Sequence, residues 1–192
     1  PLLLVSTYSW ASADNMFDMS LEDLLEIEIE AVSKKAEPLR TSAGIVTVIT
    51  SADIDAYGAR NIKDVLQRFP NLFIFDSSTF SSMGVMMRSG AVQHLNNRVL
   101  YLINGRPIRE SQNGGIHTDI NLILPIEIIE KIEMVRGPGS VLYGSNAFNG
   151  TINFITKDAK DQLTVEASTM FGSYGSLTNQ INASNSFSKN GY

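Results

Sequence analysis

The chain of 192 residues is 43% hydrophobic and 18% charged, with a formal net charge of −5 and no cysteine. That balance argues against disorder, a basic nucleic-acid-binding surface, a disulfide scaffold and a cysteine-based zinc site. It leaves enough chain for one modest domain with a real core. No run reaches the ~18 apolar residues of a membrane helix, so any contact with a bilayer comes through strands or a partner.

Residues 1–13, PLLLVSTYSWASA, read as the tail of a secretory signal peptide. Leu2–Val5 close an apolar core, and Ala11-Ser12-Ala13 offers a small-x-small site with the cut after Ala13. A short buried strand is the competing reading. The chain starts at a proline and stops at Tyr192 inside a β-like run, so a piece of a longer exported protein is expected. Residues 14–40 form a polar, acidic leader, in which Ser20 can cap one helical turn. Within it Glu26–Val32, EIEIEAV, alternates strictly, with Ile27, Ile29 and Ala31 on one side and glutamates on the other. Such a segment buries little alone and suits addition to another protein's sheet edge. An ordinary edge strand or linker fits the pattern as well.

The globular part is expected from Thr41. Ile45–Thr50, IVTVIT, is β-branched and reads as a buried strand. Ser51 is expected to cap a short helix with Asp53 in its first turn and Gly58 at its end. Asn61 caps a second helix over Ile62–Phe69, with Asp64 three residues past the cap and Pro70 as the stop. Ile62, Val65, Leu66 and Phe69 share one face at helical spacing and read as core. Leu72–Phe75 and Val85–Arg88 are short strands around a serine-rich turn over 76–84. Residues 91–97 are loop, with a turn at Asn96-Asn97. Arg98–Ile103 is a strong strand, followed by the hairpin signal Asn104-Gly105 and then Arg106-Pro107-Ile108. Residues 109–121, RESQNGGIHTDIN, are a polar loop, and Pro125 opens one helical turn over Ile126–Ile129.

The chain is organised around residues 126–157, IEIIEKIEMVRGPGSVLYGSNAFNGTINFITK. Ile129, Ile132, Met134 and Val135 sit among charged residues, and Ile152, Phe154 and Ile155 alternate with Asn153 and Thr156. Both runs read as strands. Gly137, Pro138, Gly139, Gly144 and Gly150 lie between, so the expected order is strand, tight turn, one helical turn at Val141–Tyr143, tight turn, strand. A phosphate-binding loop would need Gly-Lys-Ser/Thr opening a long helix, or three glycines at dinucleotide spacing, and neither is present. No cofactor is expected. His94 and His117 are isolated, where a metal site needs several convergent ligands. Glu130 and Glu133 face opposite sides on a strand, or lie together in the open on a helical turn. No set of side chains meets the geometric demands of catalysis, so an enzyme is not expected.

Arg136-Gly137-Pro138, Tyr143-Gly144, Asn146-Ala147, Gly150 and Ile152–Lys157 together resemble the closing segment of the plug domain of TonB-dependent outer-membrane receptors. The likeness extends over about Ile45–Lys157, through Ser51–Ile54, Gly58, Phe69-Pro70, Leu102–Arg106 and Pro125–Glu133. The chain departs from the family pattern at Arg88-Ser89-Gly90, Asn104-Gly105 and Pro70-Asn71, where the family has Arg-Gly, Asp-Gly and Pro-Gly. The resemblance implies an α+β fold, a small mixed sheet of four or so strands with short helices. Leu163–Met170 and Leu177–Phe187 alternate weakly around a turn at 172–176, as barrel strands do. By resemblance they are the first hairpin of a truncated antiparallel barrel. The expected domains are a partial signal peptide (1–13), a periplasmic leader (14–40), a plug (41–157) and the start of a transmembrane barrel (158–192).

The resemblance further implies energy-coupled uptake of a siderophore, haem, cobalamin or similar ligand across the outer membrane. The plug would sit in the barrel lumen and the N-terminus in the periplasm. A sensor reusing the plug fold without transport is the alternative. The partners implied are a TonB-type energy-transducing inner-membrane complex, an extracellular ligand and the outer membrane, with no nucleic acid. The family's TonB box maps to Glu28, Ile29, Glu30, Ala31 and Val32. Arg88 and Arg136 correspond to arginines that lock the plug to glutamates on the barrel wall, unless they form ordinary surface ion pairs. Asn96, Asn97, Gln112, Asn113 and His117 represent the candidate ligand loops 76–84, 91–97 and 109–121. Gly137, Pro138, Gly144 and Gly150 are the structural turn residues.

Overall fold

The computed structural model describes residues 28–29, 37–38, 45–76, 83–87, 98–109, 120, 124–138, 140–158 and 163–185. The expected signal segment, the Ser20 turn, most of the leader and Phe187 lie outside the described residues. Two compact units divide the chain, Pro1–Thr156 and Lys157–Tyr192.

In the first unit, β1 (Glu28–Ile29) and β2 (Glu37–Pro38) form a short antiparallel pair. β3 (Ile45–Thr50) leads into α1 (Ser51–Tyr57) and α2 (Ile62–Leu66). β4 (Leu72–Asp76) and β5 (Met83–Met87) make an antiparallel hairpin. β6 (Val99–Ile103), β7 (Arg106–Ile108), β8 (Ile129–Arg136), α3 (Ser140–Tyr143) and β9 (Gly150–Thr156) follow. The main sheet has five strands in the order β3-β8-β9-β6-β7, one more than the sequence suggests. β6 and β9 run parallel while the other neighbours are antiparallel, which makes the sheet mixed.

One face of the sheet carries the core. Ile132 and Met134 of β8, Ile152 and Phe154 of β9, and Val99 and Tyr101 of β6 pack with Ile54, Ile62, Val65, Leu66 and Phe69 from the helical segment. The Tyr101 and Phe154 rings meet edge to face, with centroids 5.5 Å apart. The helix stripe read from the sequence is therefore the side of α2 that covers this face.

Four local expectations change. β3 is an edge strand and not a fully buried one: Ile45 is 53% exposed, and only Val48 and Ile49 are buried. The cap of α1 is Thr50, because a capping box needs its acid three residues on and Asp53 stands there. Thr50 Oγ1 donates to Asp53 Oδ2 at 2.7 Å, Thr50 N donates to the same oxygen at 2.9 Å, and Asp53 N donates back to Oγ1 at 3.3 Å. α2 ends at Leu66, and Phe69 reaches the core from the turn beyond it. β5 ends at Met87, so Arg88 falls outside the described residues.

In the second unit, β10 (Thr164–Phe171) and β11 (Leu177–Ser184) pair antiparallel around a 3₁₀ turn at Ser173–Gly175. The register sorts its side chains by face. Val165/Ala183, Ala167/Ile181, Thr169/Asn179 and Phe171/Leu177 share one face, which is apolar except for one row. In that row Thr169 Oγ1 donates to Asn179 Oδ1 at 2.9 Å. Glu166/Asn182, Ser168/Gln180 and Met170/Thr178 share the other face, which is largely polar. Val165, Phe171 and Ile181 are 60%, 82% and 80% exposed, so the apolar face is uncovered by the rest of the hairpin.

Candidate functional site

The glycine-rich connection from β8 to β9 forms one end of the sheet. Gly137 has φ +132° and Gly144 has φ +74°, values that side chains resist. Gly150 has a different reason to lack a side chain. A Cβ there would collide with the Val135 carbonyl oxygen and Met87 Sδ. Pro138 is exposed between the first turn and α3. Gly137 N donates to Asn149 O at 3.0 Å, and Asn149 N donates to Arg98 O at 2.8 Å, so the connection is stitched to itself and to the start of β6. Tyr143 and Ala147 then fold onto Leu100 and Leu102, forming a second small apolar cluster.

Two further anchors hold the site; the first was not singled out from the sequence, and the second was read there only as a hairpin turn. Arg109, just past β7, donates from Nη2 to Tyr143 O at 2.9 Å and Ser145 O at 3.2 Å. It thereby satisfies carbonyls at the end of α3, where a cation also suits the helix dipole. Arg109 also begins the predicted polar loop, so it ties that loop to the glycine-rich connection. The second anchor is the turn after β6. Asn104 has φ +47° and Gly105 φ +73°, the backbone a two-residue hairpin demands. Asn104 Nδ2 donates to Thr156 Oγ1 and Thr156 N donates to Asn104 Oδ1, both at 2.9 Å. Gly105 N donates to Asn153 Oδ1 at 3.0 Å. This turn clamps the end of β9, where the chain passes to the second unit.

Arg136 closes β8 and is half-buried. Its Nη2 donates to Thr47 Oγ1 at 3.1 Å, and its Nε is buried with no partner. Among the described residues no carboxylate pairs with it. Glu130 is exposed beside a bulge between Ile129 and Lys131. Both glutamates lie on a strand, as one of the two readings had it, but Glu133 is 0% exposed, with Lys131 Nζ 3.1 Å from its Oε1, a burial that the sequence did not suggest.

Of the leader segment, Glu28 and Ile29 lie on β1, and Ile29 is fully buried. Glu30, Ala31, Val32, Arg88, Asn96, Asn97, Gln112, Asn113 and His117 lie outside the described residues.

A mixed sheet built around a clamped glycine-rich return, followed by a two-faced hairpin, defines a receptor plug fold. The chain belongs to the TonB-dependent receptor plug domain family, whose model matches residues 38–151. It is 29% identical over 150 residues to the vitamin B12 transporter BtuB of Photobacterium profundum, covering 78% of this chain and 24% of that protein. It is 35% identical over 125 residues to the BtuB of Vibrio vulnificus, covering 65% of this chain and 19% of that protein. The chain thus spans a quarter or less of these relatives. Among solved structures, the ferripyoverdine receptor of the Pseudomonas aeruginosa outer membrane shares its fold with a TM-score of 0.66 at 18% identity, over 84% of this chain and 20% of that one. The ferric yersiniabactin uptake receptor FyuA of Yersinia pestis gives a TM-score of 0.63 at 20% identity, over 76% and 22% of the two chains.

Proposed function

We propose that this chain is the N-terminal part of an outer-membrane receptor that takes up a small metal chelate or a similarly sized nutrient by energy from a TonB-type inner-membrane complex. The observation that carries this reading is the order along one chain: a plug-family domain, then at once a hairpin with an apolar face and a polar face. A membrane barrel strand needs that split, apolar toward lipid and polar toward the lumen. The two BtuB relatives favour transport over a sensor that merely reuses the fold, and they favour a corrinoid as the first ligand to try. Siderophores, haem and glycans remain within the same class.

In this reading residues 1–13 are the export signal, 14–40 the periplasmic leader, 41–157 the plug in the lumen and 158–192 the start of the barrel. Glu28–Val32 pairs with the energy transducer by strand addition. Arg136, whose Nε has no partner, and Arg88 lock to carboxylates on a barrel wall outside this chain. The loops 76–84, 91–97 and 109–121, with Asn96, Asn97, Gln112, Asn113 and His117, face the ligand.

Uptake of labelled cyanocobalamin and of a ferric siderophore by cells with and without the complete receptor tests the proposal. Uptake of one of them is expected to require both the receptor and the energy transducer. Uptake of neither, or uptake that ignores loss of the transducer, would overturn it.

A further inference from the structure

One polar row interrupts the apolar face of the hairpin. Val165/Ala183 and Ala167/Ile181 lie on one side of it, and Phe171/Leu177 lie on the other, toward the turn. The row itself is Thr169/Asn179. Thr169 Oγ1 donates to Asn179 Oδ1 at 2.9 Å, so the hydroxyl hydrogen and the amide oxygen satisfy each other. Among the described residues the Asn179 Nδ2 hydrogens have no acceptor, and both side chains of the row are exposed. In water such a donor is satisfied. In the hydrocarbon of a bilayer it is not, and its burial there is costly until it finds a partner.

The depth of the row follows from its neighbours. Phe171 borders the turn and Tyr174 lies within it, both exposed. Aromatic side chains at the end of a membrane strand mark headgroup level. Thr169 lies two residues further from the turn than Phe171. Two residues are about 7 Å of strand, or about 5 Å of depth at the tilt of a barrel strand. That is the boundary where headgroups give way to acyl chains. The acyl linkages there present carbonyl oxygens, which accept hydrogen bonds and donate none. Asn179 supplies the matching donor.

We propose that Thr169 and Asn179 form a contact site for membrane lipid, in which the Asn179 amide donates to the carbonyl oxygen of an acyl linkage. Thr169 is the positioning residue: by holding the amide oxygen it commits the Nδ2 end to the lipid. The proposal rests on the reading of residues 158–192 as the start of a barrel. Lipid suits the row better than a second protein does. A protein would have to bring one acceptor to one point of an otherwise apolar contact, whereas every ester-linked lipid carries its acceptors at this depth. The rows to either side, Ala167/Ile181 and Phe171/Leu177, then pack on acyl chain and at the interface.

The test reconstitutes the complete receptor in bilayers of dioleoylphosphatidylcholine and of its ether-linked analogue. The two lipids share headgroup and chains and differ in the linkage carbonyls. Hydrogen exchange over residues 164–184 reads the hairpin locally. Wild-type exchange is expected to be several-fold slower in the ester bilayer than in the ether bilayer. Asn179→Leu is expected to exchange alike in both, and Thr169→Val to show a smaller difference than the wild type. Equal wild-type exchange in the two lipids would overturn the proposal, as would a difference that survives Asn179→Leu. Nitroxide labels at Val165→Cys, Asn179→Cys and Ile181→Cys, each in a cysteine-free background, separate the failures. All three are expected to collide with oxygen more than with a water-soluble nickel chelate. If Asn179→Cys alone is shielded from both, protein covers the row, and the lipid site is wrong while the barrel reading stands. If all three meet the chelate freely, the face lies in water and both readings fall.

Discussion

Gly150 shows how one residue fixes the fold at its tightest point. It starts β9 between the Val135 carbonyl and the Met87 thioether, with no space for a methyl group. The backbone oxygen cannot move without breaking the β8–β9 ladder. Gly150→Ala is therefore expected to destabilise the domain by about 1–3 kcal/mol, the usual cost of overpacking. Denaturant unfolding of purified receptor measures this, and an unchanged midpoint would show that the sheet gives way. Arg136 raises a different question at the same scale. Among the described residues its side chain bonds to Thr47, and its buried Nε is left unused. If a barrel carboxylate completes that group, Arg136→Ala leaves the carboxylate unpaired and loosens the plug. Faster hydrogen exchange across β3 and β8 in the intact receptor is then expected. Exchange equal to that of the wild type would assign Arg136 to the Thr47 contact alone.

At the scale of elements, the ends are set by short-range chemistry and the neighbours are not. Thr50 is both the last residue of β3 and the cap of α1, so one side chain joins strand to helix. Thr50→Val keeps the β-branch for the strand and removes the capping oxygen. A loss of about 1 kcal/mol is expected, read as a lower thermal midpoint, whereas Thr50→Ser is expected to change little. The sequence reading places this cap one residue late, at Ser51, because both residues are good caps and only the three-residue spacing to Asp53 selects Thr50. The strands were legible, since β8 and β9 alternate. Their partners were not: β6 lies parallel to β9 across some fifty residues, and nothing local in Arg98–Ile103 announces it. The burial of Glu133 was hidden for a related reason. Alternation separates two faces but does not say whether both are covered. Tyr143 and Ala147 close the Leu100–Leu102 side of the second face only once the glycine-rich connection has folded back. Arg109 was missed because its partners are main-chain carbonyls, which leave no trace in residue types.

At the scale of the whole molecule, the two ends of this chain ask for different surroundings. The hairpin's apolar face is uncovered, and its polar face lacks any apolar core to pack on. The proposed barrel in lipid would satisfy both. The leader asks for something else. Glu26–Val32 alternates, yet its described part, β1, pairs with only two residues, Glu37 and Pro38. A two-residue ladder is weak, so the proposed release of β1 would leave the five-stranded sheet unbroken. Ile29 is the exception, being fully buried, and its release exposes one aliphatic side chain at a cost of about 1.5–3 kcal/mol. A strand added to the transducer's sheet can offset that through its main-chain hydrogen bonds. Deleting residues 26–32 from the complete receptor is therefore expected to abolish uptake and cross-linking to the transducer. Ligand binding to whole cells should stay intact, because β3–β9 and the glycine-rich connection are left in place. Ile29→Ala should act in the opposite sense, easing release and raising cross-linking without ligand. If the deletion leaves uptake intact, the leader is a linker and the pull enters elsewhere. If it removes ligand binding too, the leader is part of the plug's own packing rather than a detachable handle.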